Sequence, residues 1–268
     1  MSGEGIRTIS IAGTGNVAFN LAPALYKAGF EIRCILGRNP ENTAELASMV
    51  QARPVRTVDE IDADTELLIL ALPDQVIPGF SLSIKNAGMF NGIMAHTSGS
   101  QSLGAITQHH AGGGVFYPLQ SFTKLTRPEF SGVPICIEGA TPLISSSLVM
   151  VAKALSGDVR LIDTGQRALI HLAAVFASNF SNYMYSVADC LLAKSTVDPD
   201  ILLPLIRETA MRIHGGDAAN LQTGPAVRRD WSTIDMHLSM LRNNPDIREI
   251  YKTISELIVK LKDTGGAC

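Results

Sequence analysis

The residues best suited to chemistry fall in three places: a glycine-rich turn near the amino terminus, a loop at residues 96–100, and a polar stripe that starts at His171. The first reads Ile9-Ser10-Ile11-Ala12-Gly13-Thr14-Gly15-Asn16-Val17-Ala18, an apolar run followed by G-x-G-x-x-A. Gly13 permits a tight turn, Gly15 lets the main chain approach a pyrophosphate, and the small Ala18 lets a helix lie against the strand. The amides from Thr14 through Asn16 and Val17 then meet phosphate charge at a helix start. A glycine turn alone is common, but here a strand precedes it and a helix follows within a βαβ unit of about 30 residues, the context a dinucleotide site needs.

The tip of the second apolar run discriminates between coenzymes. NAD sites place Asp or Glu there for the ribose 2′-hydroxyl, whereas this chain reads Leu36-Gly37-Arg38-Asn39. Arg38 can pair with a 2′-phosphate and stack on adenine, and Asn39 can donate a hydrogen bond, so NADP is the expected cofactor. The alternative is a solvated loop charge. The next apolar run ends in Ala71-Leu72-Pro73-Asp74-Gln75. In a doubly wound sheet Leu72, Pro73 and Asp74 would lie along the nicotinamide ribose, although a plain turn also uses Pro-Asp.

Hydride transfer needs a proton donor beside the reacting oxygen or nitrogen. The loop His96-Thr97-Ser98-Gly99-Ser100 offers an imidazole and hydroxyls at a strand end, either as ligand contacts or as a capped turn. His96 and Ser98 are its catalytic candidates. At about 100 degrees per residue, Ser178, Asn182, Tyr185 and Asp189 share a helix face with His171, and Asn179 lies at its margin. That stripe either faces the cofactor cleft, with His171 as acid and Asn179 or Asn182 orienting substrate, or forms a polar seam at a dimer interface. Arg228, beside Arg229 and Asp230, either clamps a substrate carboxylate or belongs to a surface pair at a capped helix start. His109-His110 lacks acidic or cysteine companions, and no metal site is expected.

These side chains need a frame. Short β-rich runs at 8–12, 31–36, 67–72, 92–96, 114–117, 134–138 and 159–162 alternate with helix-length stretches, the first two at Val17 to Ala28, closed by Gly29, and Asn42 to Gln51. Such alternation signals a parallel sheet with crossover helices. Beyond Asp163 only helical patterns appear: a long one from Gly165 to Lys194, then Ile201 to His214, a turn-rich stretch, Ala226 to Arg242, and Pro245 to Lys262. The expected fold is α/β, a Rossmann doubly wound, mostly parallel sheet followed by an all-helical carboxy-terminal domain. The division is expected at 1–162 and 163–268.

The 268 residues are 46% hydrophobic and 18% charged, with 22 Lys+Arg against 25 Asp+Glu and a net charge of -3. That composition supplies a core and no basic field for nucleic acid. No apolar run approaches the roughly 18 to 20 residues of a membrane span, and no leader pattern opens the chain, so a cytoplasmic protein is expected. Cys34, Cys136, Cys190 and Cys268 form no C-x-x-C pair, and the first three read as buried, reduced thiols. A mean hydropathy of +0.19 is high for a monomer, which suggests an Ala/Leu-rich helix covered by a second copy.

Five segments occur in order: 13–18, His96-Thr97-Ser98-Gly99-Ser100, 114–122 (GVFYPLQSF), 171–180 (HLAAVFASNF) and 223–230 (TGPAVRRD). Together they resemble the Rossmann-like NADP oxidoreductases that carry a DUF2520 domain, and more distantly pyrroline-5-carboxylate reductase, prephenate dehydrogenase and the 6-phosphogluconate and 3-hydroxyisobutyrate dehydrogenases. The resemblance implies an NADP-binding first half and a helical second half that dimerises and closes a substrate cleft. Where such relatives often carry His before Pro-Leu, this chain has Tyr117. The expected activity is hydride transfer between NADP(H) and a small polar carbonyl, imine or hydroxy acid. The alternative is an NADP-binding sensor or scaffold without turnover.

Overall fold

In the computed structural model, which describes residues 5–88, 90–126, 128–193, 195–213 and 217–265, the alternating runs form one eight-stranded sheet in the order β3-β2-β1-β4-β5-β6-β7-β8. The strands are β1 (Thr8–Ala12), β2 (Glu31–Leu36), β3 (Arg53–Val55), β4 (Leu67–Leu70), β5 (Ile93–His96), β6 (Gly113–Pro118), β7 (Ile135–Gly139) and β8 (Val159–Leu161). The crossover helices are α1 (Asn16–Lys27), α2 (Pro40–Met49), α3 (Ile77–Ala87), the short α4 (Gly104–Thr107) and α5 (Pro142–Lys153). This is the expected doubly wound α/β sheet.

The sheet is buried on both faces, which explains why β4 reads Leu-Leu-Ile-Leu without alternation. Ile9, Ile11, Leu67 and Ile69 pack under α1 and α2 on one side. Ala12, Cys34, Leu68 and Leu70 meet Ile77 and Ile84 of α3 on the other. The chain crosses from β3 to β4 at the point where strand order reverses beside β1, and ligands of such sheets bind at the carboxyl ends there.

β6 and β7 run antiparallel, pairing Val115 with Glu138 and Tyr117 with Cys136. Among the described residues their connection contains a single 3-10 turn, Phe130–Gly132, and no crossover helix, so the chain returns on the edge it left. As a result residues 119–126 stay at the carboxyl edge and lie across α1. Asn20 Nδ2 donates to Thr123 O at 2.8 Å, and Lys124 Nζ stands 3.9 Å from the centre of the Phe19 ring.

The elements depart from expectation in definable ways. β3 went unrecognised because it has three residues, Arg53-Pro54-Val55; proline is tolerated there only because β3 is an edge strand. The expected helix at 226–242 is two, α9 (Pro225–Arg228) and α10 (Trp231–Met240), separated where Arg229 adopts a left-handed conformation with φ 55°. The long helix begins as α6 (Thr164–Ala174), passes through a π-helical stretch at Val175–Phe180 and continues as α7 (Ser181–Leu192). α8 (Leu203–Arg212) and α11 (Pro245–Asp263) complete the series. Lys194 and His214, the expected ends of two helices, and Cys268 lie outside the described residues. Cys34 and Cys136 are buried as expected, but Cys190 is exposed, because α7 buries none of its residues within this chain.

The chain divides into two compact units, Met1–Asn179 and Phe180–Cys268. The second has little core of its own: α7, α8 and α11 contain no fully buried residue, and Ala226, Ile234 and Leu241 are its buried apolar side chains among the described residues. No described helix is long and apolar enough to cross a membrane.

One polar cluster fastens α6 to the sheet in the first unit. Arg167, 1% exposed, pairs with Glu138 of β7 and donates from Nη2 to Gln101 O at 2.6 Å. Thr164 Oγ1 lies 2.9 and 3.0 Å from the two Glu138 carboxylate oxygens and accepts from Leu103 N at 3.3 Å. Removing one partner of a buried pair leaves the other charge desolvated, so Arg167→Met should lower stability by about 3–5 kcal/mol in urea unfolding followed by circular dichroism. Arg160→Met, which breaks the solvent-exposed pair with Asp158, should leave the midpoint almost unchanged.

Candidate functional site

The carboxyl ends of β1, β2, β4, β5 and β6 open into one cavity of about 1310 Å³, lined wholly by residues of the first unit. At its centre lies the turn after β1. Gly13 has φ +118°, and a Cβ there would sit 2.0 Å from Ala71 O, so this position admits glycine alone. Gly15 instead faces open space, with no atom within 4 Å of where a Cβ would be. A Cβ-sized gap beside the first turn of α1 is the cradle that a pyrophosphate needs. Thr14, Asn16 and Val17 line the same wall.

To one side, Arg38 and Asn39 line the cavity, joined by Arg56, Thr57 and Val58 from the turn after β3. Asn39 Oδ1 caps α2 by accepting from Asn42 N at 2.9 Å, which leaves its Nδ2 to donate. Leu72, Pro73 and Asp74 form the adjacent wall, and Ser100 Oγ donates to Asp74 Oδ2.

At the other end, Tyr117 of β6 and His171 of α6 meet, with Tyr117 Oη 3.2 Å from His171 Nδ1. Gly99 passes directly beneath, where a Cβ would come within 2.6 Å of His171 Nδ1 and 2.9 Å of the Tyr117 ring. Burial pushes the Tyr117 pKa up, so the phenol keeps its proton, and the direction of this hydrogen bond follows the His171 tautomer. Ser121 and Ser178 hydroxyls pair at 2.7 Å beside them.

Asn179 reaches the cavity because of the π-helical stretch. In an α-helix it would lie about 80 degrees from His171. A π turn holds more residues, so each one advances less around the axis, and Val175–Phe180 brings Asn179 round towards the His171 side, where Ser178 also lines the cavity.

Other candidates are placed differently. His96 is fully buried and absent from the cavity wall. Its Nδ1 accepts from Ser98 N at 3.2 Å and its Nε2 donates to Ser102 O at 3.3 Å, so the imidazole is bound to backbone at both nitrogens. Ser98 lines the cavity, but its Oγ accepts from Ser100 N and Gln101 N, which makes it a turn cap. Asn182 and Arg228 belong to the second unit, and both are exposed. Asp230 caps α10 by accepting from Thr233 N at 3.1 Å, while Arg229 pairs with Asp263.

Sequence reasoning missed Tyr117 as a partner for His171, as well as Ser121 and Arg56. The position of Tyr117 at a strand end on the ligand edge was the available signal. Arg56 followed a strand too short to detect.

Residues 8–89 match the family model described as NADP oxidoreductase coenzyme F420-dependent, and residues 133–258 match that of a domain of unknown function, DUF2520. No curated protein matches the sequence. Among solved structures, a Bacteroides fragilis protein provisionally designated an NADP oxidoreductase is 36% identical, with a TM-score of 0.89 over 95% of this chain and 98% of that one. A Thermotoga maritima protein is 20% identical, with a TM-score of 0.69 over 97% and 100%. Plasmodium falciparum pyrroline carboxylate reductase, solved with NADP bound, is 10% identical, with a TM-score of 0.61 over 98% and 100%. The last two share the fold.

Burial, followed by the nearby Arg167 charge, lowers the His96 pKa from 6.5 to about 4. The unfolded chain therefore binds a proton that the native state refuses between those values, and stability must fall as pH drops from 6.5 towards 4. The loss should reach on the order of 3 kcal/mol at the acid end. His96→Gln, which retains a donor near Nε2, should flatten this part of the stability profile in urea titrations at successive pH values. An unchanged slope would reassign the acid sensitivity to other groups.

Proposed function

The chain belongs to the family of NADP oxidoreductases that carry a DUF2520 region, and on that footing we propose that it moves a hydride between NADP(H) and a small polar carbonyl, imine or hydroxy acid. The observation that carries this reading is the Tyr117–His171 pair in the same cavity as the glycine-rich turn. When bound, NADPH supplies the hydride. The chain's own residues do the rest.

The amides of Thr14, Gly15, Asn16 and Val17 would hold the pyrophosphate, with Gly13 shaping the turn that presents them, Arg38 and Asn39 would hold the adenosine end, and Leu72, Pro73 and Asp74 the nicotinamide ribose. Acting as the imidazolium, His171 would deliver its Nε2 proton to the substrate oxygen or nitrogen and be left as the neutral ring, while its Nδ1–H donates to the Tyr117 hydroxyl and holds the imidazole in place. Ser178 and Asn179 would orient the substrate. His96 and Ser98 would act through loop 96–103, by holding Gly99 close beneath the pair. Asn182 and Arg228 remain substrate contacts in this proposal only if the helical region, from residue 163 onwards, closes over the site.

The helical region would also dimerise. Support comes from Leu205, Met211 and Leu257, which are 59%, 69% and 57% exposed on helices that bury nothing within the chain. Sedimentation should give a dimer, and Leu205→Glu together with Leu257→Glu should shift it towards monomer. A monomeric wild-type protein would remove this part of the proposal.

Activity is tested by following NADPH oxidation with a panel of keto acids, imines and a deazaflavin. His171→Asn should lower kcat about 10²–10⁴-fold, the usual worth of a positioned acid. Tyr117→Phe should cost less and displace the pH profile of kcat, since it removes a partner of the imidazole. Arg38→Asp should reverse the preference for NADPH over NADH. Tight NADPH binding without oxidation across the panel would instead favour the sensor.

A further inference from the structure

The adenosine end of the cavity carries a second cation that the reading so far leaves unused. β3 pairs with β2 in register, Leu36 opposite Val55, and Gly37 N donates to Val55 O at 3.3 Å. Arg38 follows Gly37 and Arg56 follows Val55, so two guanidinium groups leave the sheet edge from adjacent strands. Both line the cavity, both are exposed, and neither has an ion-pair partner among the described residues.

Three acids of this region, Glu60, Asp62 and Asp64, have partners other than Arg38 and Arg56. Glu60 accepts from Arg56 N at 3.1 Å, Thr57 N at 2.9 Å and Thr57 Oγ1 at 2.9 Å, and these bonds hold its carboxyl below the usual range. All three bonds fall on Glu60 Oε1, and no ion pair joins Glu60 to Arg56 among the described residues. Asp62 pairs with Arg53 at 2.7 Å, and Asp64 with Arg33 at 2.8 Å. The carboxylate on the cavity wall, Asp74, accepts from Ser100. Two like charges side by side on neighbouring strands repel. A phosphate monoester, which carries about 1.5 to 2 negative charges at neutral pH, would relieve that repulsion and take hydrogen bonds from both forks.

We propose that Arg56 is a specificity-determining residue, which grips the coenzyme 2′-phosphate jointly with Arg38. The inference rests on the NADP reading above and adds a second arm to it. It differs from a stacking role, in which Arg56 would lie on adenine and serve both coenzymes alike.

Calorimetric titration of the intact protein with adenosine 2′,5′-bisphosphate and with AMP separates these roles without requiring a substrate. Arg56→Gln should weaken the bisphosphate at least about tenfold while changing AMP by no more than about twofold, as expected for loss of a charged hydrogen bond. Arg56→Lys should recover part of the loss, because charge returns without the fork. The side chain is exposed, and equal melting curves for the variants confirm that folding is unaffected. Equal weakening of both ligands, or no weakening of either by Arg56→Gln while Arg38→Gln weakens the bisphosphate, overturns the proposal and leaves the NADP reading standing. A wild-type protein that binds AMP as tightly as the bisphosphate overturns both.

Discussion

A guanidinium buried to 1% exposure sets the terms for the site. Arg167 is desolvated, so it must be met by a full charge and by well-placed acceptors, and Glu138, Gln101 O and Thr164 supply them. Each partner comes from a different part of the chain: a sheet strand, the loop after β5, and the helix that bears His171. Satisfying one charge therefore fixes the relative positions of three elements. His171 lies one helical turn beyond Arg167, and its approach to Tyr117 is set by that anchor. The same charge helps keep His96 neutral, and neutral His96 in turn holds the loop through one donated and one accepted bond.

The cavity is organised by a single edge of the sheet. Parallel strands present all their carboxyl ends together, so turns distant in sequence converge without any being long. The antiparallel return of β7 adds a consequence of its own, since the loop from Leu119 onwards cannot leave that edge and contributes Ser121 to the wall. Tyr117 lies at the same edge, one position before Pro118, the last paired residue of β6. A π-helical stretch then corrects the helix face, because regular α geometry would have turned Asn179 aside.

Legibility from sequence followed the physical range of each interaction. The β1 turn was readable because its requirements are local: one glycine at positive φ, a gap at the next, and a small residue where helix meets strand. Arg38 was readable because it stands beside a recognisable strand end. His171 was visible as a polar residue on an apolar helix, but its partner was not, since Tyr117 lies 54 residues earlier and the bond depends on strand order. His96 and Ser98 show the converse case. Their types suggest chemistry, whereas the fold surrounds them with backbone groups that their side chains satisfy.

Taken alone, the sequence determined the succession of strands and helices and the glycine-rich turn after the first strand, because hydrophobic period and glycine conformation act over a few residues. The tertiary structure alone decided which polar side chains face the cavity and which face backbone. It also brought Arg56 beside Arg38 and Tyr117 beside His171. Those outcomes depend on strand pairing and on the burial of Arg167, which join residues tens of positions apart and leave no periodic trace in the chain.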